Sequence, residues 1–365
     1  MRLSAHRPFT GATYLARSAR KSGALAALVL IAVAGFVLVP AAAEADTGFY
    51  ESPLFGIAAA PDGSLLVADA GQGIVDADDG SLIAALPGVT DVAPRTGGGL
   101  WATTSFGPEG TQRLYRITGD GEAVEVANLF DFEEKRNPHP ALIESNPFDV
   151  ADLGGGEALI ADAAGNDLLK VDKHGKVKVV AVLPNELVST ANIKSLAGCD
   201  GEPVPGLAEI CDLPPEIPAE PVATSVAIGP DGAYYVGELK GFPAPTGASK
   251  VWRIEPNARN AKCGQSPLCS VVFDDFTSVI DLAFGPDGRL NVAQIDDASW
   301  FALEIGEGEL AVGGSVHACD LSTKDCEEVV SGVPILTSIA FRDDDSLWGS
   351  TWSLVPGMAD VVPLD

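Results

Sequence analysis

Six gapless fourteen-residue windows, each an apolar run, a Gly/Asp turn and a second apolar run, predict an all-β chain wound into a six-bladed β-propeller. Two further observations agree: 40 Gly and 26 Pro supply many turns, and a second hairpin pattern follows most windows. Disorder is excluded, because 46% hydrophobic residues with five Trp and fourteen Phe are enough to fill a core.

The windows are 56–69 (GIAAAPDGSLLVAD), 91–104 (DVAPRTGGGLWATT), 149–162 (DVADLGGGEALIAD), 225–238 (SVAIGPDGAYYVGE), 281–294 (DLAFGPDGRLNVAQ) and 338–351 (SIAFRDDDSLWGST). The third residue is alanine in all six, although alanine is a poor strand former, so something forbids a larger side chain. The penultimate residue is small every time: Ala68, Thr103, Ala161, Gly237, Ala293 and Ser350. Crowding of the innermost strands around a central axis is expected to explain both. Outer hairpins follow at 168–172 with 176–183 and at 114–118 with 123–129, which makes four strands per blade. The last blade is incomplete after Trp352, and residues 47–52 are expected to donate its outer strand and close the ring.

Arg2, Arg7, Arg17, Arg20 and Lys21 precede an uncharged run over 23–43 that ends in an alanine cluster, the pattern of a secretory signal at 1–45. A retained membrane anchor is the competing reading of the same 21 residues. Residues 46–365 then form one propeller domain, secreted to the extracellular space, the periplasm or the cell envelope. With 23 Lys+Arg against 51 Asp+Glu the net charge is −28, and cleavage would leave −32. Such a field repels phosphate backbones and anionic headgroups, so neither nucleic acid nor stable membrane insertion is expected.

Export makes the six cysteines a disulfide set, and Cys199/Cys211, Cys263/Cys269 and Cys319/Cys326 fall as three local pairs. Loops this short staple local structure rather than the whole fold. No pair has zinc-like spacing.

Residues one and fourteen of each window are expected to face each other at the open end of the hairpin, hence at one mouth of the ring. The first positions are Gly56, Asp91, Asp149, Ser225, Asp281 and Ser338; the last are Asp69, Thr104, Asp162, Glu238, Gln294 and Thr351. Asp69, Asp91, Asp149, Asp162, Glu238 and Asp281 are therefore the candidate ligand-binding carboxylates. Asp91, Asp149 and Asp281 begin innermost strands and would converge on the axis, where repulsion raises their pKa values unless a cation intervenes. Calcium, a hard ion that takes carboxylate oxygens, is the natural occupant, although no cofactor is required. The structural alternative is that these acids accept backbone N–H groups at strand ends. Insertions at 131–146, 185–222, 241–249 and 296–313 emerge at the same mouth and are expected to roof it. Segment 185–222, rich in proline and carrying Cys199 and Cys211, reads as a structured cap.

Little other chemistry is visible. The chain lacks G-x-S-x-G, H-E-x-x-H, a Walker loop and a helix-opening G-x-G-x-x-G. His139 alone among the histidines belongs to the candidate mouth, and it reads as an exposed loop residue rather than a general base. The run Asp76-Ala77-Asp78-Asp79-Gly80 looks like the start of an EF-hand loop but lacks its downstream Glu, and turn chemistry accounts for it.

Taken together, Asn146-Pro147-Phe148-Asp149-Val150-Ala151, Ala161-Asp162-Ala163-Ala164-Gly165-Asn166-Asp167, Thr224-Ser225-Val226-Ala227-Ile228-Gly229-Pro230-Asp231-Gly232 and Ile280-Asp281-Leu282-Ala283-Phe284-Gly285-Pro286-Asp287-Gly288 resemble the ScyD/ScyE family over roughly 146–295. The resemblance implies a secreted, NHL- or TolB-like six-bladed propeller and brings no catalytic residues with it. The expected function is non-catalytic binding or scaffolding of a small molecule, glycan or extracellular protein through the acidic mouth. The alternative is a calcium-dependent lactonase- or esterase-like hydrolase. Such enzymes place an Asn metal ligand where Phe55, Thr90, Phe148, Thr224, Ile280 and Thr337 stand here, one residue before the aspartates. The aspartates would therefore point to the other face of the strand unless a bulge intervenes.

Overall fold

Glycine- and aspartate-rich turns alternating with runs of β-branched and aromatic residues close the chain into successive antiparallel sheets. The computed structural model describes residues 50–105, 110–139, 143–305 and 308–364; the expected signal segment lies outside them. Blade 1 is β1 (Leu54–Ala59), β2 (Leu65–Asp69), β3 (Gly73–Asp76) and β4 (Leu82–Ala85). Blade 2 is β5 (Val89–Pro94), β6 (Leu100–Thr104), β7 (Arg113–Ile117) and β8 (Ala123–Asn128), followed by helix α1 (Leu129–Arg136). Blade 3 is β9 (Pro147–Gly154), β10 (Glu157–Asp162), β11 (Asp167–Val171) and β12 (Val177–Val182).

A cap intervenes, made of hairpin β13 (Glu186–Ser189) and β14 (Glu216–Ala219) with helix α2 (Ala191–Leu196) between them. Blade 4 is β15 (Ala223–Ile228), β16 (Tyr234–Glu238), β17 (Ser249–Ile254) and β19 (Cys269–Phe276); the two-residue strand β18 (Ala261–Lys262) precedes its last strand. Blade 5 is β20 (Val279–Phe284), β21 (Leu290–Gln294), β22 (Gly314–Cys319) and β23 (Cys326–Val333), with helix α3 (Trp300–Glu304) inserted. Blade 6 has three strands, β24 (Ile339–Phe341), β25 (Leu347–Thr351) and β26 (Asp360–Pro363). Each innermost strand neighbours the next, and β24 neighbours β1, so six blades close a ring. The all-β, six-bladed propeller read from the repeats is the fold.

The ring closes differently from expectation. The third strand of blade 6 is the C-terminal β26, and residues 50–52 form no strand; residues 47–49 lie outside the described residues. Tyr50 instead packs beside Ala359 and Val361, while Leu54 N–H donates to the Ser353 carbonyl at 2.9 Å. Three-strand closure leaves the outer edge of this blade to side-chain packing.

The three local cysteine pairs are disulfides, Cys199–Cys211 in the cap, Cys263–Cys269 in blade 4 and Cys319–Cys326 in blade 5. Disulfides belong to oxidising compartments, in keeping with an exported protein. Among the described residues no helix is long and apolar enough to cross a membrane.

The two small positions have separate causes. The alanines at position three face the axis, and five of the six are only partly buried, so they line an open bore rather than a packed one. The penultimate residues are fully buried against the neighbouring blade. A Cβ on Gly237 would stand 2.5 Å from Ser225 Oγ and 2.7 Å from Val279 Cγ1 of blade 5. Gly237→Ala is therefore expected to lower stability by about 1–3 kcal/mol through overpacking, read as a fall in the urea midpoint.

Candidate functional site

Register decides where the acids point. In blades 1 to 5 the first window residue pairs with the thirteenth, as in Asp91 with Thr103 and Asp281 with Ala293. The fourteenth pairs with the residue two places before the window, and a bulge lies between. The expected one-to-fourteen pairing is thus shifted by the bulge, which supplies the condition for Asp91, Asp149 and Asp281 to face the axis.

The residues just before the windows alternate in kind. Phe55, Phe148 and Ile280, in blades 1, 3 and 5, join an apolar plug with Ile193 of the cap, Ala244, Trp300, Phe301 and Ile305. Thr90, Thr224 and Thr337, in blades 2, 4 and 6, donate to backbone carbonyls of the following blade: Pro147 at 2.6 Å, Val279 at 2.8 Å and Leu54 at 2.8 Å. Positions that hold Asn ligands in calcium hydrolases are here given over to sealing and stapling. The insertions 185–222, 241–249 and 296–313 do roof this face, with apolar side chains that close it.

Access is from the other face. A cavity of about 500 Å³ runs along the axis, walled by the six alanines, with Asp91, Asp149 and Asp281 at its blind end. Pro94, Ile228, Phe284 and Phe341 are partly exposed at its open end, beside the hairpin turns.

The three central aspartates each bridge to the next blade. Val150 N–H donates to Asp91 Oδ2 at 2.9 Å, Val226 N–H to Asp149 Oδ2 at 2.7 Å, and Ile339 N–H to Asp281 Oδ2 at 2.7 Å. Gly56 makes room for Asp91, since a Cβ there would lie 1.9 Å from Asp91 Oδ1. Burial raises all three pKa values, and the Asp149 charge raises that of Asp91 further and that of Asp281 next after burial. Asp91 and Asp149 also share a side-chain hydrogen bond, which requires a proton on one of the two. The floor is thus a ring of three carboxyls whose burial and mutual repulsion favour protonation.

Asp69, Asp162 and Glu238 do not join them. Asp69 accepts from the N–H groups of Glu51 and Gly71 and from Gln72 Nε2, all within blade 1 and its entering chain. Asp162 accepts from Ser145 Oγ, Asn146 N–H and Gly165 N–H. Glu238 takes Trp252 Nε1 at 2.9 Å and pairs with the fully buried Lys240 Nζ at 2.9 Å. The shift of the fourteenth residue to its own ladder partner aims these acids at loops, so the six carboxylates divide into two sets of three.

The central aspartates are already engaged by backbone donors. One oxygen of each holds an N–H of the next blade, and Asp281 Oδ1 also accepts from Leu282 N–H at 2.7 Å. Among the described residues no group of three or more His, Cys, Asp or Glu stands so as to hold a metal ion.

His139 is buried rather than exposed, with 5% of its surface accessible. Burial lowers its pKa despite a bond to Asn185, so it is neutral there. A second buried carboxyl cluster, invisible in the repeats, lies under α1. Burial and the Asp162 charge push Glu133 up to about 9, and Asp167 is raised by burial and then by Glu133. Asp76 accepts Asp78 N–H at 2.8 Å, ordinary turn chemistry for the EF-hand-like run.

No protein-family model matches the chain, and no curated protein does so. Among solved structures it is similar to virginiamycin B lyase from Staphylococcus aureus, at 15% identity and a TM-score of 0.50, over 86% of this chain and 85% of that one. It is also similar to XC5397, a gluconolactonase from Xanthomonas campestris, at 11% identity and a TM-score of 0.50, over 87% and 89%. At these identities the likeness shows the fold, a six-bladed β-propeller, and nothing finer.

Two outcomes follow from the protonation pattern. Asp91→Asn keeps both a donor toward Asp149 and an acceptor for Val150 N–H, so its thermal midpoint at pH 7–8 is expected to equal or exceed wild type. Asp91→Leu strands Val150 N–H and is expected to cost about 1–3 kcal/mol. Protonated Glu133 contributes stability that is full below the ordinary carboxylate range and is lost as pH rises through about 9. Glu133→Gln should flatten the decline of the urea midpoint between about pH 5 and 9.

Proposed function

We propose that this chain is an extracellular, non-catalytic binding propeller of the ScyD/ScyE type that takes a small, uncharged molecule into its axial cavity from the hairpin-turn face. The observation that carries this reading is the shape and lining of the cavity. At about 500 Å³ it falls in the range of small-molecule sites, with small alanine walls, convergent carboxyls at the floor and a lining that exposes more polar than apolar surface. Alanine walls favour a slender body. Partly protonated carboxyls favour a carbonyl, hydroxyl or amide at its leading end and disfavour an anion. A glycan or protein would meet only the rim, because the opposite mouth is filled by the plug.

A hydrolase reading would require Asp91, Asp149 and Asp281 to hold calcium, and their commitment to the next blade's N–H groups speaks against it. Isothermal titration with calcium tests this directly: no heat of binding is expected, and tight binding with turnover of a lactone would replace the proposal.

The test of binding is occlusion. Ala151→Phe/Ala283→Phe fills the bore from two blades without touching the aspartates. A panel of neutral aromatic, lactone and sugar compounds is screened by thermal shift on the wild-type chain. Any compound that raises the midpoint is expected to lose at least about tenfold in affinity with the filled variant. Unchanged affinity would move the site out of the axial cavity.

A further inference from the structure

The cations of this acidic chain are gathered in one place. Of its 23 Lys and Arg, eight line two grooves on the outer flank of blades 2 and 3, against one acid, Glu125. The first groove, about 600 Å³, lies between α1 and β12 and holds Lys135, Arg136, Lys176, Lys178 and Arg259. The second, about 440 Å³, lies between β7, β8 and the turn after β11, and holds Arg95, Arg116 and Lys173 beside His174. That turn divides the grooves, with Lys173 on one shoulder and Lys176 on the other, and it rests against the Val126 carbonyl through Gly175.

Neutralisation by the protein is sparse. Glu125 pairs with Arg113 at 3.1 Å, Asp172 with Lys178 at 3.1 Å and Asp131 with Lys135 at 3.7 Å. Among the described residues Arg116, Arg136, Lys173, Lys176 and Arg259 have no carboxylate partner within ion-pair distance. Arg95 is held near Arg116, whose like charge lowers its pKa after burial does while Asp152 raises it; its Nη1 donates to the Gly98 carbonyl, and its buried Nε has no hydrogen-bond partner. A protein with net charge −28 that leaves like charges side by side has a place for an external anion.

We propose that this two-groove flank binds an extended acidic polysaccharide, with carboxylate or sulfate groups spaced along the chain lying in both grooves across the 173–176 turn. Nucleic acid fits less well. Its dense phosphates meet the full repulsion of the remaining surface, and the largest ring of the grooves, Trp101, is withheld from base stacking. Trp101 is 2% exposed, lies under Arg95 at 4.3 Å and gives its indole N–H to Asp152. This site is separate from the axial cavity and stands or falls without it.

The experiment measures retention of the wild-type chain on immobilised polygalacturonate, dextran sulfate and neutral dextran. Retention on one or both acidic polymers at about 20 mM salt, none on dextran, and release well below about 0.5 M is expected. Preference between the two polymers identifies carboxylate or sulfate as the anion. Arg136→Glu/Lys176→Glu/Arg259→Glu and Arg116→Glu/Lys173→Glu should each weaken binding at least about tenfold, while Arg289→Glu/Lys324→Glu in blade 5 should not. Matching Gln variants, which add no repulsion, should reduce the slope of log affinity against log salt by about one per cation removed. Failure of the wild type to bind either polymer, equal losses in the blade 5 variant, or tighter binding of an oligothymidylate of equal charge would overturn the proposal.

Discussion

Innermost strands of neighbouring blades converge on the axis side by side without pairing, and the backbone groups they leave unmet must be answered by side chains. Here the answer is a series of short polar residues at the start of the innermost strands of blades 2 to 6. Thr90, Thr224 and Thr337 reach forward to carbonyls, and Asp91, Asp149 and Asp281 reach forward to N–H groups. Each such bond contributes about 0.5–1.5 kcal/mol between neutral groups and about 1.5–3 kcal/mol where the carboxyl is charged, which offsets part of the aspartates' mutual repulsion. Proton sharing between Asp91 and Asp149 is how the repulsion is relieved.

That series also shapes the cavity. Because the staples and the plug occupy one end of the bore, the ring is blind there, and the alanines leave the other end open. In the proposed reading, structural and binding roles meet in the same carboxyl groups, which hold the next blade and floor the bore.

Much of the fold could be read from period and residue type. Six hairpins, their turns and three local disulfides follow from patterns within about fifteen residues, where local sterics dominate. The convergence of Asp91, Asp149 and Asp281 was legible only in part, since it needs the closed ring, which the repeats reveal, and a bulge, which they do not. What could not be read depended on a single-residue shift. The bulge before each of the first five windows moves Asp69, Asp162 and Glu238 off the axis, and nothing in the identities of Phe55 or Thr90 marks them as bulged. The burial of His139 and the raised Glu133 arise from packing of α1 against blade 3, a contact between segments with no repeat signature. The basic flank was hidden by its dispersal from Arg95 to Arg259 along a chain whose total charge has the opposite sign.

Strand β18 belongs by sequence to blade 4 yet pairs in parallel with β12, the outermost strand of blade 3, through Ala181 with Ala261 and Val182 with Lys262. Cys263–Cys269 braces the segment that makes this crossing. The two blades are thereby buckled together at their periphery, and an exposed edge that would invite another molecule is covered.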